Sequence, residues 1–292
     1  MVKQYGLLYQ DTRRALLATE DVQDAGVLAR MLICHYSGKS QADFLADRDL
    51  YASEKIVSDV EAGLQRLLTG EPIAYVLGQW EFYGLPLHVN SHVLIPRDDT
   101  VAVADLAIHQ ALFLQQDPRI LDLCCGSGCI GLAVASRVPD ARVTLADISK
   151  DALAVAKENV ALNKLSGRVR CVSANALEPA SAFLGKYDLI VSNPPYVTGQ
   201  EMTELPGSVA DFEPHLALYG GEDGLDFYRS IAVNFASALK PGGYLCFEIG
   251  EQQMEDVCRI LEENGYQILE RSKDYNNRDR AVLAQYGGKD ED

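Results

Sequence analysis

No stretch of this 292-residue chain is apolar over anything near the ~20 residues that cross a bilayer as a helix, so a protein built on transmembrane helices is excluded. The opening "MVKQYGLLYQDTRR" lacks the apolar segment of a secretory signal, and a cytoplasmic protein is expected. Dense runs of Lys and Arg are missing too. With 26 basic against 42 acidic residues the net charge is −16. That balance argues against a nucleic acid as main partner, because phosphates need cations to replace their counterions. CxxC pairs are absent, and seven cysteines, an odd number, do not suggest a disulfide framework. Cys124, Cys125 and Cys129 cluster but have no neighbouring His and no second ligand pair. Small buried hydrophobes are expected there, and no metal.

What is present reads as two parts, in a chain whose 48% hydrophobic content is that of a globular protein. Residues 1–80 carry helical spacing, with Val57, Val60, Leu64, Leu67 and Leu68 recurring at three and four residues and Gly38 and Gly70 as stops. A small helical domain is predicted. Short extended segments around Gly84 and Pro86 predict a hairpin linker over 81–93. From 94 to 286 strands and helices alternate. Asp98 or Asp99 is placed to cap the first helix and Ser149 a later one. "RILDLCC", "RVTLADI", "RVRCVSA", "YDLIVSN" and "GYLCFEIG" are the strands, and "YQILER" with "RAVLAQY" an antiparallel edge. Such alternation makes an α/β domain, a mostly parallel sheet with helices on both faces. Residues 287–292 are expected to be a disordered tail.

The strand "ILDL" runs into "CCGSGCIG", where Gly126, Gly128 and Gly131 match the dinucleotide fingerprint GxGxxG and Asp147 ends the next strand. Alone that match is weak, since close helix–strand packing also asks for glycine. Asp122 points to another ligand. Four residues ahead of Gly126, its carboxylate should lie near the ligand's middle, where it would repel a pyrophosphate but attract a sulfonium and an ammonium. S-adenosylmethionine carries both. A methyl donor is therefore expected over a nicotinamide, with Asp147 on the ribose hydroxyls.

Residues 187–197 read "YDLIVSNPPYV". Two prolines cannot continue a ladder, so the strand stops at the asparagine. The bland reading is a stiff turn. The functional one starts from the placement: ligands bind beyond the carboxyl ends of parallel strands. A planar NH2 is a poor nucleophile because its lone pair is delocalised, and a site that methylates it must grip both N–H bonds. Asn193 offers a side-chain carbonyl and Pro194 a backbone carbonyl, Pro195 stiffens the turn, and Tyr196 offers an aromatic wall. This chemistry leaves glutamine and adenine equally open.

"GEPIAYVLGQWEFYGLPLHV", "VLIPRDDT", "DLCCGSGCIG", "NPPYV" and "FEPHLALYGGEDGLDFYR", taken in order, resemble the HemK/PrmC family of protein glutamine methyltransferases over nearly the whole chain. The resemblance implies a class I S-adenosylmethionine-dependent methyltransferase with a seven-stranded Rossmann-like sheet behind a small N-terminal helical domain. It implies a peptide chain release factor as partner, its GGQ glutamine as methyl acceptor, and a helical domain that helps recognise it. Carried over by position, Cys124, Cys125, Gly126, Ser127 and Gly128 line the donor loop, Asp147 meets the ribose, and Ile148 and Ala176 belong to the donor site. Asn175 stands where the adenine amine is met, and Asn193 to Tyr196 grip the amide. Glu213, Pro214, Gly220 and Gly221 fall in the loop after the clamp, where ordinary turn chemistry is the competing reading.

The chain departs from the family at Cys124, where Gly is frequent, at Asp98 for Pro, at Val101 for Glu and at Asn175 for an acid. An amide oxygen still accepts the adenine amine's hydrogen bond, so the last role can survive. His88, His92 and His215 flank the loops, but amide methylation needs no strong base, and no catalytic histidine is expected. The rival function is an adenine-amine methyltransferase acting on DNA or RNA. It would share loop and clamp but should add a basic surface and a way to reach an unpaired base.

Overall fold

Helix-forming stripes and strand alternation divide the chain as they fall in the sequence. The computed structural model describes residues 2–19 and 24–287, so the expected tail, Gly287 apart, lies outside the described residues. Two compact units result: Met1–Gly78 with Gly207–Phe212, and Gln79–Pro206 with Glu213–Asp292.

The first unit holds α1 (Tyr5–Leu17), α2 (Ala25–Ser37), α3 (Gln41–Ala46), α4 (Glu54–Leu68) and α5 (Ile73–Leu77). Two short strands, β1 (Lys3–Gln4) and β2 (Tyr51–Ala52), pair antiparallel. Ser40 and Ser53 cap α3 and α4 by accepting the N–H of Asp43 and Ile56, as short hydroxyl side chains do at helix starts. The α4 stripe serves two cores. Val57 and Val60 pack with Leu8, Ile33 and Phe44, while Leu64 and Leu67 pack with Leu16, Ala29 and Leu32.

The second unit opens with an antiparallel hairpin, β3 (Gln79–Phe82) and β4 (Leu85–His88). Then come α6 (Val101–Leu112), β5 (Arg119–Leu123), α7 (Cys129–Arg137), β6 (Arg142–Asp147), α8 (Lys150–Leu162), β7 (Val169–Ser173) and β8 (Tyr187–Ser192). Two one-turn helices follow, α9 (Gly199–Met202) and α10 (Gly207–Ala210, part of the first unit). The chain closes with α11 (Asp226–Asn234), β9 (Leu239–Glu248), α12 (Met254–Glu263), β10 (Tyr266–Lys273) and β11 (Asp279–Tyr286). Ser149 caps α8 through the Ala152 N–H, as its position predicted. Neither Asp98 nor Asp99 caps α6. They form a 3-10 turn, and the helix starts at Val101 without a side-chain cap, held by its buried face of Val103, Ala104, Ala107 and Ala111.

The seven strands run in the order β10-β11-β9-β8-β5-β6-β7, parallel except for β11, which lies antiparallel between β9 and β10. Alternate residues of each strand enter opposite cores. Ile120, Val143, Leu145, Leu189 and Val191 pack with α6, α7 and α8; Leu121, Leu123, Ile190, Leu245 and Phe247 pack with α11 and α12. This is the class I methyltransferase sheet. After β5 the chain builds outward through β6 and β7, then returns to the other side of β5 for β8 and β9. Strand order thus reverses at β5, where ligands of such sheets bind. Among the described residues no helix is long and apolar enough to cross a membrane.

Candidate active site

Three residues with positive φ in five positions turn the chain from β5 into α7: Cys124 (60°), Gly126 (51°) and Gly128 (82°). Two of them are glycines and free to do so. Cys124 occupies the left-handed region at a cost of about 1–2 kcal/mol. At Gly131, in the first turn of α7, an added Cβ would stand 2.3 Å from Leu145 Cδ2 and 3.0 Å from Asp122 Oδ2. Only a glycine lets α7 lie this close to β5 and β6.

Two carboxylates flank the loop differently. Asp147, at the end of β6, accepts the Gly126 N–H on Oδ2 and the Ser149 N–H on Oδ1, both at 2.9 Å. Burial raises its pKa against the pull of those amides. Asp122 stands beneath the loop and not on the cavity wall where its place in the sequence had suggested it. Its Oδ2 accepts the Gly131 N–H at 2.8 Å, Oδ1 has no partner, and burial pushes its pKa up to about 7. Ser127 is likewise behind the wall, its carbonyl taking the Asn159 Nδ2 at 2.9 Å. The same Asn159 exchanges two hydrogen bonds with the backbone of His88, tying the loop to the hairpin.

One cavity joins the two motifs. Cys124, Cys125, Gly126, Asp147 and Ile148 line its donor side together with Asn175 and Ala176, and Asn193 and Pro195 line the other. Gly128, Pro194 and Tyr196 do not reach the wall. Desolvation holds the thiols of Cys124, Cys125 and Cys129 protonated, with that of Cys129 pushed up to about 12. The Asn175 Oδ1 accepts the Leu177 N–H at 3.0 Å and retains a second lone pair.

The clamp is bolted to its surroundings. Ser192, the last residue of β8, donates to the Leu123 carbonyl at 2.6 Å, locking strand end to donor loop. Neither the Asn193 carboxamide nor the Pro194 carbonyl has a hydrogen-bond partner among the described residues. Tyr196, expected as a wall against the acceptor, packs instead toward the α11–α12 core. Its hydroxyl donates to Glu248 Oε1 at 3.4 Å, and its carbonyl accepts Gln253 Nε2 at 3.1 Å. Glu248 ends β9, fully buried. Burial pushes its pKa up to about 7, with the Thr100 hydroxyl and the Arg280 charge opposing. The following loop closes over the clamp backbone. A Cβ at Gly220 would meet Tyr196 Cα at 2.6 Å and Pro195 O at 2.7 Å, and one at Gly224 would meet Tyr196 O at 2.3 Å.

His92 and Glu213 are expected only as neighbours of the loops, while Pro96, Thr100 and Phe227 carry no expected role. Segment 92–100 lines the cavity through His92, Pro96 and Thr100, and Phe227 of α11 lines it too. Glu213 is buried, accepting the Ile95 N–H at 3.2 Å and pairing with Arg97, which fastens two wall segments together. An acid closing the apolar run "GYLCFEIG" was a usable signal for Glu248. For Phe227 there was none.

The cavity fits S-adenosylmethionine. Asp147 presents its carboxylate to a diol, Ile148 and Leu177 present apolar surface to a base, and the partnerless Asp122 oxygen lies behind the loop. The Methyltransferase small domain family matches residues 101–207, and the PrmC N-terminal domain family matches 9–78. A release factor glutamine methyltransferase of Clostridium acetobutylicum is 42% identical over 217 residues, which cover 74% of this chain and 76% of its own. Another, of Chlorobaculum tepidum, is 36% identical over 277 residues, covering 93% and 94%. Among solved structures, a methyltransferase from Pyrococcus furiosus shares the fold, with a TM-score of 0.51 at 18% identity over 76% of this chain and 97% of that one. Likeness of this extent, running through both units, makes the chain a member of the release factor glutamine methyltransferase family, enzymes whose methyl donor is S-adenosylmethionine.

Proposed function

We propose that the enzyme methylates the side-chain nitrogen of the glutamine in the GGQ motif of a peptide chain release factor. The observation that carries this reading is a free carboxamide on the cavity wall: Asn193 faces the space bounded by Asp147 and the donor loop and spends none of its hydrogen-bonding capacity on the protein. S-adenosylmethionine, when bound, supplies an electrophilic methyl on sulfur. Asn193 Oδ1 accepts an N–H of the glutamine amide and turns its nitrogen lone pair toward that methyl, while Pro194, expected as the second acceptor, is buried away from the cavity wall. The prolines and the Tyr196 anchor hold Asn193 in place, so positioning and exclusion of water supply most of the rate. As the C–N bond forms, the methyl–sulfur bond breaks with its electron pair left on sulfur as the thioether of S-adenosylhomocysteine, and the nitrogen, now strongly acidic, loses its extra proton to water. No histidine is required.

The reading places the enzyme in the cytoplasm, where release factors work, with the helical unit as a second contact for the factor and no nucleic acid as substrate. Net charge supports the last point, since an acidic chain meets a repulsive cost for each phosphate not matched by a cation. Incubation with labelled S-adenosylmethionine, an intact release factor and DNA or RNA tests it. Mass spectrometry should find one added methyl on the GGQ glutamine. Label in adenine and none in the factor would assign the clamp to the rival substrate.

A further inference from the structure

At the end of the sheet opposite the donor loop, a second cavity of about 320 Å³ opens at the starts of β5, β6 and β7. That volume is at the lower limit of small-molecule pockets, roughly 300–1,000 Å³. Its ionisable lining is arginine alone: Arg119, Arg142, Arg168 and Arg170. Arg119 and Arg142 lie side by side in register on β5 and β6, and Arg170 of β7 lies beside Thr144 of β6. Among the described residues, no carboxylate pairs with any of the four guanidinium groups. Elsewhere on the chain Arg66, Arg97, Arg229 and Arg271 sit on carboxylates. The nearby Asp188 is already taken by Lys240 and by the Arg119 backbone N–H.

Two of the four have structural work. Arg168 donates to the carbonyls of Ala135, Val138 and Ala141 at 2.8–3.3 Å, closing the end of α7. Arg170 donates to Thr144, Leu184 and Tyr187. These neutral acceptors fix the guanidiniums without cancelling their charge. Arg119 lies over the Tyr187 ring, and the exposed Arg142 side chain touches no acceptor among the described residues. The turn from Leu165 to Arg168 adds the N–H groups of Ser166 and Gly167, which also lack acceptors among the described residues. In a chain of net charge −16, a pocket of unmatched cations and free donors is matched only by an anion.

We propose that this cavity binds a compact oligophosphate, such as the phosphate chain of a nucleoside triphosphate. Neighbouring strands stand about 4.8 Å apart, so cations on three of them spread over about 10 Å, the reach of successive phosphates and more than one phosphate fills. A long polyanion such as RNA would place only a few of its phosphates in this pocket and the rest against a chain of net charge −16. The site lies a full strand length from the donor loop, so both ligands bind together.

Titration calorimetry of the full chain with inorganic tripolyphosphate at low salt is the test. Saturable binding of one ligand per chain is expected, weakened by about tenfold or more in Arg142→Ala, a change that removes no contact within the protein. The same variant should bind S-adenosylmethionine and methylate release factor like the wild type. No saturable heat, or equal binding by wild type and an Arg119→Ala, Arg142→Ala double variant, overturns the site. Single-stranded RNA that binds more tightly than tripolyphosphate, with affinity rising with length, overturns the compact ligand. Methylation proceeds in every case, so loss of this site leaves the proposed function standing.

Discussion

Asn193 and Asp147 line one cavity, yet their loss should register in different measurements. If Asn193 grips the acceptor as proposed, Asn193→Ala removes that contact and none to the donor. Turnover should fall by about a hundredfold or more, the scale for losing one positioned polar group at a reacting centre, while donor affinity stays within a few fold. Near-normal turnover would return the motif to a strand-ending turn. Asp147→Ala should instead weaken S-adenosylmethionine by about 1–3 kcal/mol, because the ribose hydroxyls lose their buried acceptor. Calorimetry that shows unchanged donor affinity would remove Asp147 from the donor site. The reach of the sequence is visible at the same scale. An asparagine ahead of two prolines announces itself, whereas the direction of the Tyr196 ring depends on Glu248, 52 residues further on.

Among the elements, the loop from Leu218 to Gly224 decides how firmly the clamp is held. Val197 donates its N–H to the Leu218 carbonyl and accepts the Gly220 N–H, both at 2.9 Å, in a parallel bridge with Tyr219, and Gly220 lies against the Pro195 carbonyl. Gly220→Ala must push that carbonyl and Tyr196 aside. The expected result is a fall in kcat with donor affinity kept, by about tenfold or more for a displacement of half an ångström to an ångström. Equal kcat in the variant would show that the loop only covers the clamp. Strand ends were legible because prolines and glycines mark them. The length of α11 was not: "FASALK" has helical composition, but Leu239 pairs with Tyr187 and draws those residues into a turn and a strand. Segment 92–100 has no period at all, so its place on the wall could come only from tertiary packing.

For the whole molecule, two buried acids set the pH dependence. Asp122 moves from 3.8 to about 7 and Glu248 from 4.5 to about 7 on folding, both chiefly through burial. A raised carboxyl pKa means that the folded state binds more protons than the unfolded one between those values. Stability of the donor-free enzyme should therefore decline as pH rises from about 4 to about 7 and level off above. Urea melts across this range check it, and a rising midpoint would show that both acids are ionised in the fold. Substrate recognition belongs to this scale as well. If residues 1–78 present a second surface to a release factor, their removal should cost turnover on the intact factor far more than on a short GGQ peptide. Unchanged S-adenosylmethionine binding verifies that the remaining unit is folded, and an equal loss on both substrates would discard that role. The sequence disclosed the alternation that builds the sheet. It did not disclose the order of its strands or the approach of buried Glu248 to Arg280, which needs β9 and β11 side by side.

Gly131, Gly220 and Gly224 each sit where a single added carbon would stand 2.3–2.6 Å from a neighbouring atom. Every one-base change to a glycine codon that alters the residue adds at least that carbon or stops translation. Lineages of this protein can thus wander through Ile148, Leu177 or Cys124, trading one side chain for another along the wall of the cavity. At the three glycines there is no adjacent sequence to wander into. The freedom to change side chains along the wall and the prohibition on changing loop geometry are written into one site.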